Sequence, residues 1–384
     1  MVTDAPALRP ALGSGELFQH LRDGAPRTRA ELAAVTGLAR ATVASRIDSL
    51  MSAGLVAPFG DAASTGGRPP SQFALNRAGR IIVAADLGAS HSSIALCDLL
   101  GRPLEEELAE IRIADGPESI LGHLAEVVMR LLAKANRSTD DVLALGMGLP
   151  GPVEFATGRP NNPPIMPGWD GFDVPHFLRE RIPVPILVDN DVNLMAVGER
   201  ALHYPGVDDL IFVKVATGLG AGVISSGTLQ RGSRGIAGEI GHIRLARDGA
   251  SLGAHAAGSF LAASLREQGL DTHSIPDVLH AVRESNPIAL RTLRQAGRDI
   301  GEVLTACISF INPEVIVIGG SMAEAGDHLL AGVREVVYAR SEPLATQNLV
   351  IAQSRAGSAA GVAGAAQLAI QHALSPEGLE RIIR

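Results

Sequence analysis

The stretch Gly235-Ile236-Ala237-Gly238-Glu239-Ile240-Gly241-His242 constrains this chain more than any other. Glycine at every third position admits a tight backbone path and a close approach to something small. Glu239 can accept hydroxyl protons and His242, three residues on, can donate or accept one. Alone, the run also reads as a surface turn with a satisfied histidine. Its neighbours narrow the choice, because four more short motifs follow apolar, strand-like runs. Asp86-Leu87-Gly88-Ala89-Ser90 follows Ile81 to Ala85, and Asp189-Asn190-Asp191-Val192-Asn193 follows Pro185 to Val188. Thr217-Gly218-Leu219-Gly220-Ala221-Gly222 follows Leu210 to Val215, and Gly319-Gly320-Ser321 follows Val315 to Ile318. Crevices at the carboxyl ends of strands are where open α/β sheets bind ligands.

A length of 384 residues with 46% apolar content predicts two or three folded domains. Aromatics are only 3%, so the cores must be built mainly from Ala, Val, Leu and Ile. No apolar run is long enough to span a bilayer, and the N-terminus lacks a signal pattern. Two cysteines, Cys97 and Cys307, are too few for a disulfide framework or a four-thiolate metal site. A cytoplasmic chain with reduced thiols and no membrane partner is therefore expected. The net charge of −8 conceals an asymmetry: residues 1–80 hold nine Arg, no Lys and six acids, a balance of +3. A basic head on an acidic body suits a module that meets nucleic acid beside one that does not. Only Lys134 and Lys214 are lysines. That Arg bias fits a GC-rich genome and carries no functional weight.

The head reads as three helices and a wing. Gly15 to Asp23 places Leu17, Phe18 and Leu21 on one face. Thr28 and Glu31 form a capping-box pattern before a helix with Leu32 and Val35 inward. Gly37 supplies the turn, and a third helix from about Arg40 to Ala53 buries Val43, Ile47 and Leu50. This is the helix–turn–helix pattern, with Arg40, Thr42, Ser45, Arg46 and Ser49 assigned to the outer, DNA-reading face. Ala39 stands where a capping Ser is common. Leu55 to Ala57 and Gln72 to Leu75 make the wing strands. Between them Gly67-Arg68-Pro69 offers a slim Arg68 suited to a narrow minor groove. The bland reading is a protein-binding helical trio with an ordinary loop.

The ordered motifs resemble those of the ROK family (repressors, open reading frames and sugar kinases), and the resemblance covers nearly the whole chain. It implies an actin-like, ribonuclease H-like α/β fold of two lobes, preceded by a winged helix–turn–helix. Expected boundaries are 1–78 for the head, 79–193 for the first lobe and 194–358 for the second. Residues 359–384 return to the first lobe as an Ala-rich packing helix able to carry lobe motion to the head. By resemblance, Asp86, Gly88 and Ser90 belong to the first phosphate turn, where the Asp would position Mg²⁺. Thr217, Gly218 and Gly220 belong to the second, and Gly319-Gly320-Ser321 to an adenosine-side turn. Asn162, Asn190, Asp191, Glu239 and His242 would contact sugar, and Asp191 would be the general base of a kinase. Each has a structural alternative: a plain hairpin at Asp86, and a helix cap by Asp191 or Asn193 before a helix from Leu194 to Ala201.

Departures from the family pattern matter as much. The usual Gly-Thr-Lys of the first phosphate turn is replaced by Ala89, Ser90 and His91. The family's three zinc-binding cysteines fall on Leu252, Ala254 and Ser259, although Gly258 and Ala262 keep the pattern. His242 and nearby His255 alone cannot supply the four ligands of a structural zinc site, so no zinc is expected. A sugar-binding Glu of the family falls on Leu261. An intact head on an altered kinase body predicts a non-enzymatic, sequence-specific DNA-binding regulator, a repressor, that senses a sugar or sugar derivative. Its partners would be a double-stranded operator and a second copy, as dimer or tetramer. The alternatives are an ATP- and Mg²⁺-dependent sugar kinase with a regulatory head, and a constitutive DNA-binding protein with a ligand-free dimerising body.

Overall fold

Local capping starts the head as the sequence predicts. The Glu31 N–H donates to Thr28 Oγ1 at 3.2 Å, while the Thr28 N–H donates to the Glu31 carboxylate at 2.7 Å. This capping box opens the helix Arg29–Thr36, and Gly37, at φ +71°, closes it. The helix Arg40–Ser52 follows, with Ala39 at its start and no side-chain cap. Val43, Ile47 and Leu50 meet Leu17, Phe18, Leu21 and Leu32 in the head's core. Val35 departs from expectation: it is 58% exposed. The short helix buries only Leu32, and the turn carrying Val35 is left uncovered. The wing strands Val56–Asp61 and Ser71–Leu75 pair antiparallel, and Arg27–Thr28 adds a third strand. The computed structural model describes residues 13–61 and 70–383, so Gly67-Arg68-Pro69 lies outside the described residues.

Two five-stranded sheets form the body. In the first, Ile81–Leu87 is central, with antiparallel His91–Cys97 and Pro103–Glu110 on one side and parallel Val142–Leu149 and Ile186–Asn190 on the other. The second repeats the plan. Leu210–Val215 is central, antiparallel Leu219–Ser225 and Thr228–Leu229 lie on one side, and parallel Val315–Gly319 and Val350–Gln353 on the other. The strands Ile81–Leu87 and Val315–Gly319 read as nearly continuous apolar runs because both faces are covered.

Two helices lie between the sheets. Asp191–His203 packs on the second sheet and on Ala359–Ala373, which in turn covers the first sheet. Small residues permit that crossing. A Cβ on Gly198 would collide with the Ala360 carbonyl, and one on Gly364 with the Leu194 carbonyl. Glu199, fully buried, locks the pair: it accepts from Ser354 Oγ at 2.6 Å, Arg355 N at 2.9 Å and Ala356 N at 3.2 Å. The last helix, Pro376–Ile383, packs against the head's first helix, Ser14–Gln19. There Gln19 Nε2 donates to the Leu374 carbonyl at 2.8 Å and the Gly15 N–H to Glu380 at 3.2 Å. One apolar cluster runs from Phe18 and Leu50 in the head through Ile82 and Ala144 of the first sheet to Ala365 and Leu379.

Candidate functional site

The cleft is assembled where strands end. Asn190 closes the strand Ile186–Asn190 and caps the next helix, its Oδ1 accepting from Val192 N at 2.9 Å and Asn193 N at 3.3 Å. Its Nδ2 donates to the Gly151 carbonyl at 2.9 Å. The cap therefore falls on Asn190, not on Asp191 or Asn193, and the helix starts at Asp191, three residues before the expected Leu194. Asp189 is buried and accepts from Asn193 Nδ2 at 2.9 Å and Arg231 Nε at 2.7 Å. Asp191, also buried, accepts from Lys214 Nζ at 2.5 Å. Burial opposes the charge on that ammonium, but Asp191 and Asp86 outweigh it and hold the Lys214 pKa above its ordinary value. Asp86 is buried beside them, and burial, then Asp191, pushes its carboxyl up to about 7.

The glycines of the Gly235–His242 loop serve backbone-to-backbone contact. A Cβ on Gly238 would collide with the Ala221 carbonyl, and one on Gly241 with that of Leu219, both on a second-sheet strand. A Cβ on Gly235 would strike the Val153 carbonyl, across in the first lobe. The close approach expected toward a ligand is thus made to the protein's own chain. It leaves Glu239 half-buried and His242 exposed. Burial raises the Glu239 carboxyl pKa; His242 opposes the rise and Asp191 adds to it. Arg231 spans the lobes: besides its bond to Asp189 it lies 3.9 Å over the Phe155 ring.

Asn162 is exposed, at φ +44°, with its N–H held by Asp170 at 2.7 Å. Its loop is anchored by the buried Trp169, whose Nε1 donates to the Ile113 carbonyl at 3.0 Å. The neighbouring Pro163 packs on Gly151, the residue that Asn190 bonds. The residues expected in the two phosphate turns lie at the ends of the strands Ile81–Leu87 and Leu210–Val215. The Gly88 N–H donates to the His91 carbonyl at 2.8 Å, closing the turn that exposes Ser90, and the His91 ring lies over Gly88. Thr217 and Gly218 are exposed, and Gly220 faces Val192.

The segment at the degenerate cysteine places is held by other means. Leu252 is fully buried in the second-lobe core, Ala254 lies in the short helix Gly253–Ala256, and Ser259 Oγ donates to the Thr217 carbonyl at 2.9 Å. His255 stands 3.0 Å from Asp248 and edge-on to Phe260. Leu261 points into the core rather than the cleft. Among the described residues no three His, Cys, Asp or Glu side chains gather so as to hold a metal ion. A separate groove of about 870 Å³ runs along the edge strand Ile186–Val188 and is bordered by Arg179 and Arg381.

On the third head helix, Thr42, Ser45, Arg46 and Ser49 share one side. Arg40, six residues before Arg46, lies roughly 120° away around the axis. Arg40 and Ser45 are exposed, and Arg46 is half-buried with Nη1 donating to the Gly13 carbonyl at 3.4 Å.

Sequence reasoning passed over Lys214, Arg231 and Glu199. A signal existed for Lys214, one charge inside the apolar run Leu210-Ile211-Phe212-Val213-Lys214-Val215. No comparable signal marked Arg231 or Glu199, since their partners are 42 and 155 residues away.

A protein-family model described as "ROK family" matches residues 82–372. The chain belongs to the ROK family. The ROK body and its head together align with a xylose repressor of Caldicellulosiruptor bescii at 28% identity, over 91% of this chain and 92% of that one. A glucokinase of Halalkalibacterium halodurans is 27% identical, over 78% of this chain and 97% of the enzyme. The crystal structure of a ROK family transcriptional regulator, a homolog of the E. coli MLC protein, superposes with a TM-score of 0.81 at 24% identity. It covers 96% of this chain and 98% of that one. That likeness establishes the fold with its head in place. Among the described residues no helix is long and apolar enough to cross a membrane.

Proposed function

We propose that this ROK protein is a sugar-responsive, DNA-binding transcriptional repressor whose body binds its effector without turning it over. The observation that carries this reading is the continuous apolar core joining the winged head to the helices that close the cleft. A ligand bridging Asn190 and Asp191 of one lobe and Glu239 of the other would favour one lobe arrangement. Ala359–Ala373 and Pro376–Ile383 would pass that preference to the head. Relatives named as repressors support DNA as the partner, and a relative named for xylose makes a neutral sugar the first effector to try. A homodimer acting in the cytoplasm would present two recognition helices to a pseudo-palindromic operator.

The same reading assigns no zinc and no nucleotide to the body. Leu252, Ala254 and Ser259 offer no thiolate, and two imidazoles do not complete a tetrahedral site. Ala89 and the His91 ring over Gly88 crowd the backbone that a phosphate would need.

Selection of genomic fragments by the full chain, beside an Arg40→Ala/Arg46→Ala control, tests the proposal. A few short inverted repeats should be enriched, and the control should lose them. A sugar panel beginning with xylose and glucose should then release the operator, and Glu239→Gln should bind operator yet respond less. Equal enrichment in both proteins would sink the head's role. Operator binding that no sugar shifts would leave a constitutive DNA-binding protein.

A further inference from the structure

Lys214 is the single charged residue of the strand Leu210–Val215, and its register partners on both neighbouring strands are glycines, Gly220 and Gly319. Its stem therefore has room, and only 19% of its side chain is exposed. Its ammonium meets Asp191, whose side chain is 4% exposed, at 2.5 Å. Asp86 and Asp191 crowd one spot. A Cβ built on Gly148 would lie 3.2 Å from Asp86 Oδ1 and 3.3 Å from the Asp191 Cα. The Asp86 carboxylate also faces Gly361, near the start of the helix Ala359–Ala373, where only glycine leaves space for it. Two buried carboxylates so placed need a positive charge between them. A divalent ion is commonly held by one or two carboxylates with waters and substrate phosphates. Here a side chain supplies that charge permanently.

We propose that Lys214 is a specificity-determining residue: its ammonium is a built-in cation for the Asp86–Asp191 pair, so the cleft admits an uncharged polyhydroxy ligand and turns away a divalent metal with its polyphosphate. Paired with Lys214, Asp191 can still accept a hydrogen bond from a ligand hydroxyl, but the carboxylate oxygen that would take the hydroxyl proton is already occupied by the ammonium. This inference deepens the reading of a non-catalytic body, and it concerns metal binding, which can be measured without any effector or operator.

The test is titration of the full chain with Mn²⁺, followed by the electron paramagnetic resonance of the free ion. Wild type, Asp86→Asn, Lys214→Thr, Lys214→Met, Lys214→Arg and Lys214→Thr/Asp86→Asn are compared, with folding checked by circular dichroism. Wild type and Lys214→Arg should hold no Mn²⁺ in the cleft. Lys214→Thr and Lys214→Met should gain a site, with affinity raised roughly a hundredfold or more, because a unit positive charge a few ångströms from the ion is removed. Adding Asp86→Asn should abolish the gain. Folded Thr and Met variants that gain nothing would overturn the proposal. So would wild-type Mn²⁺ binding that Asp86→Asn removes, a comparison that decides the matter even when the Lys214 variants do not fold. Failure of every sugar to bind would count against the effector reading and leave the Mn²⁺ result untouched.

Discussion

Arg247 forks onto the buried Asp299, with Nη1 at 2.5 Å from Oδ1 and Nη2 at 2.9 Å from Oδ2. Arg247 follows the Gly235–His242 loop closely in sequence, and Asp299 lies midway along the helix Pro287–Ile311. Gln295 Nε2 adds a bond to the same carboxylate at 2.9 Å. With Leu252 sunk in the core, this pair ties the segment downstream of the Gly235–His242 loop to the second lobe.

Replacing Arg247 with Met should lower stability by about 1–3 kcal/mol, less than for a fully buried pair because Arg247 is 38% exposed. Denaturant titration measures it, and Asp299→Asn should cost a similar amount, because the amide keeps one acceptor for the two N–H groups of the fork and loses the charge. A chelator should leave the melting temperature of wild type unchanged. An undisturbed midpoint in both variants would show that the pair does not hold the segment.

The crossing of the two central helices predicts a contrast between glycines. Gly198→Ala forces a methyl group into the Ala360 carbonyl and should cost about 1–3 kcal/mol. Gly206→Ala meets nothing within 4 Å and should change stability by less than about 1 kcal/mol. If the crossing carries the signal to the head, a folded Gly198→Ala protein should also lose sugar-dependent release of operator.

On the head, Arg46→Ala should weaken operator binding by about 1–3 kcal/mol and relax preference at one base pair if Arg46 reads a base. Its existing bond to Gly13 is long, at 3.4 Å, so thermal stability should move little. Arg40→Ala, on another side of the helix, should weaken all sequences about equally and flatten the salt dependence if it meets phosphate. Affinity measured on operator and scrambled duplexes at several salt concentrations separates the two roles.

The thiols supply a pH prediction. Burial, with Asp98 and Glu106 adding, pushes the Cys97 thiol up to about 12, and burial also raises that of half-buried Cys307. Cys97 should resist an aromatic disulfide reagent at pH 8 in the folded chain and react once urea unfolds it. A thiol raised on folding contributes stability that is complete below its ordinary pKa near 9.0 and lost as pH climbs toward about 12. Cys97→Ala should remove that part of the alkaline decline.

Much of the head and sheet framework was legible because the interactions that start and stop elements are local. The Thr28–Glu31 box, the Gly37 turn and the apolar runs ending at Asp86, Asp189 and Gly319 all act within a few residues. Where a local rule placed a side chain at a helix end, it misjudged burial. Val35 has the spacing of an inward residue and is 58% exposed, because none of the described residues covers the end of that eight-residue helix.

The amino-acid sequence by itself determined the order of strand, turn and helix, the family, and the residue types brought to the cleft. Tertiary structure alone decided their use. Asn190 became a cap, the loop glycines met the protein's own carbonyls, and Asp191 acquired Lys214, 23 residues away. The reason is physical: capping and periodicity depend on neighbours along the chain, whereas the partner of a buried charge depends on where distant segments are packed.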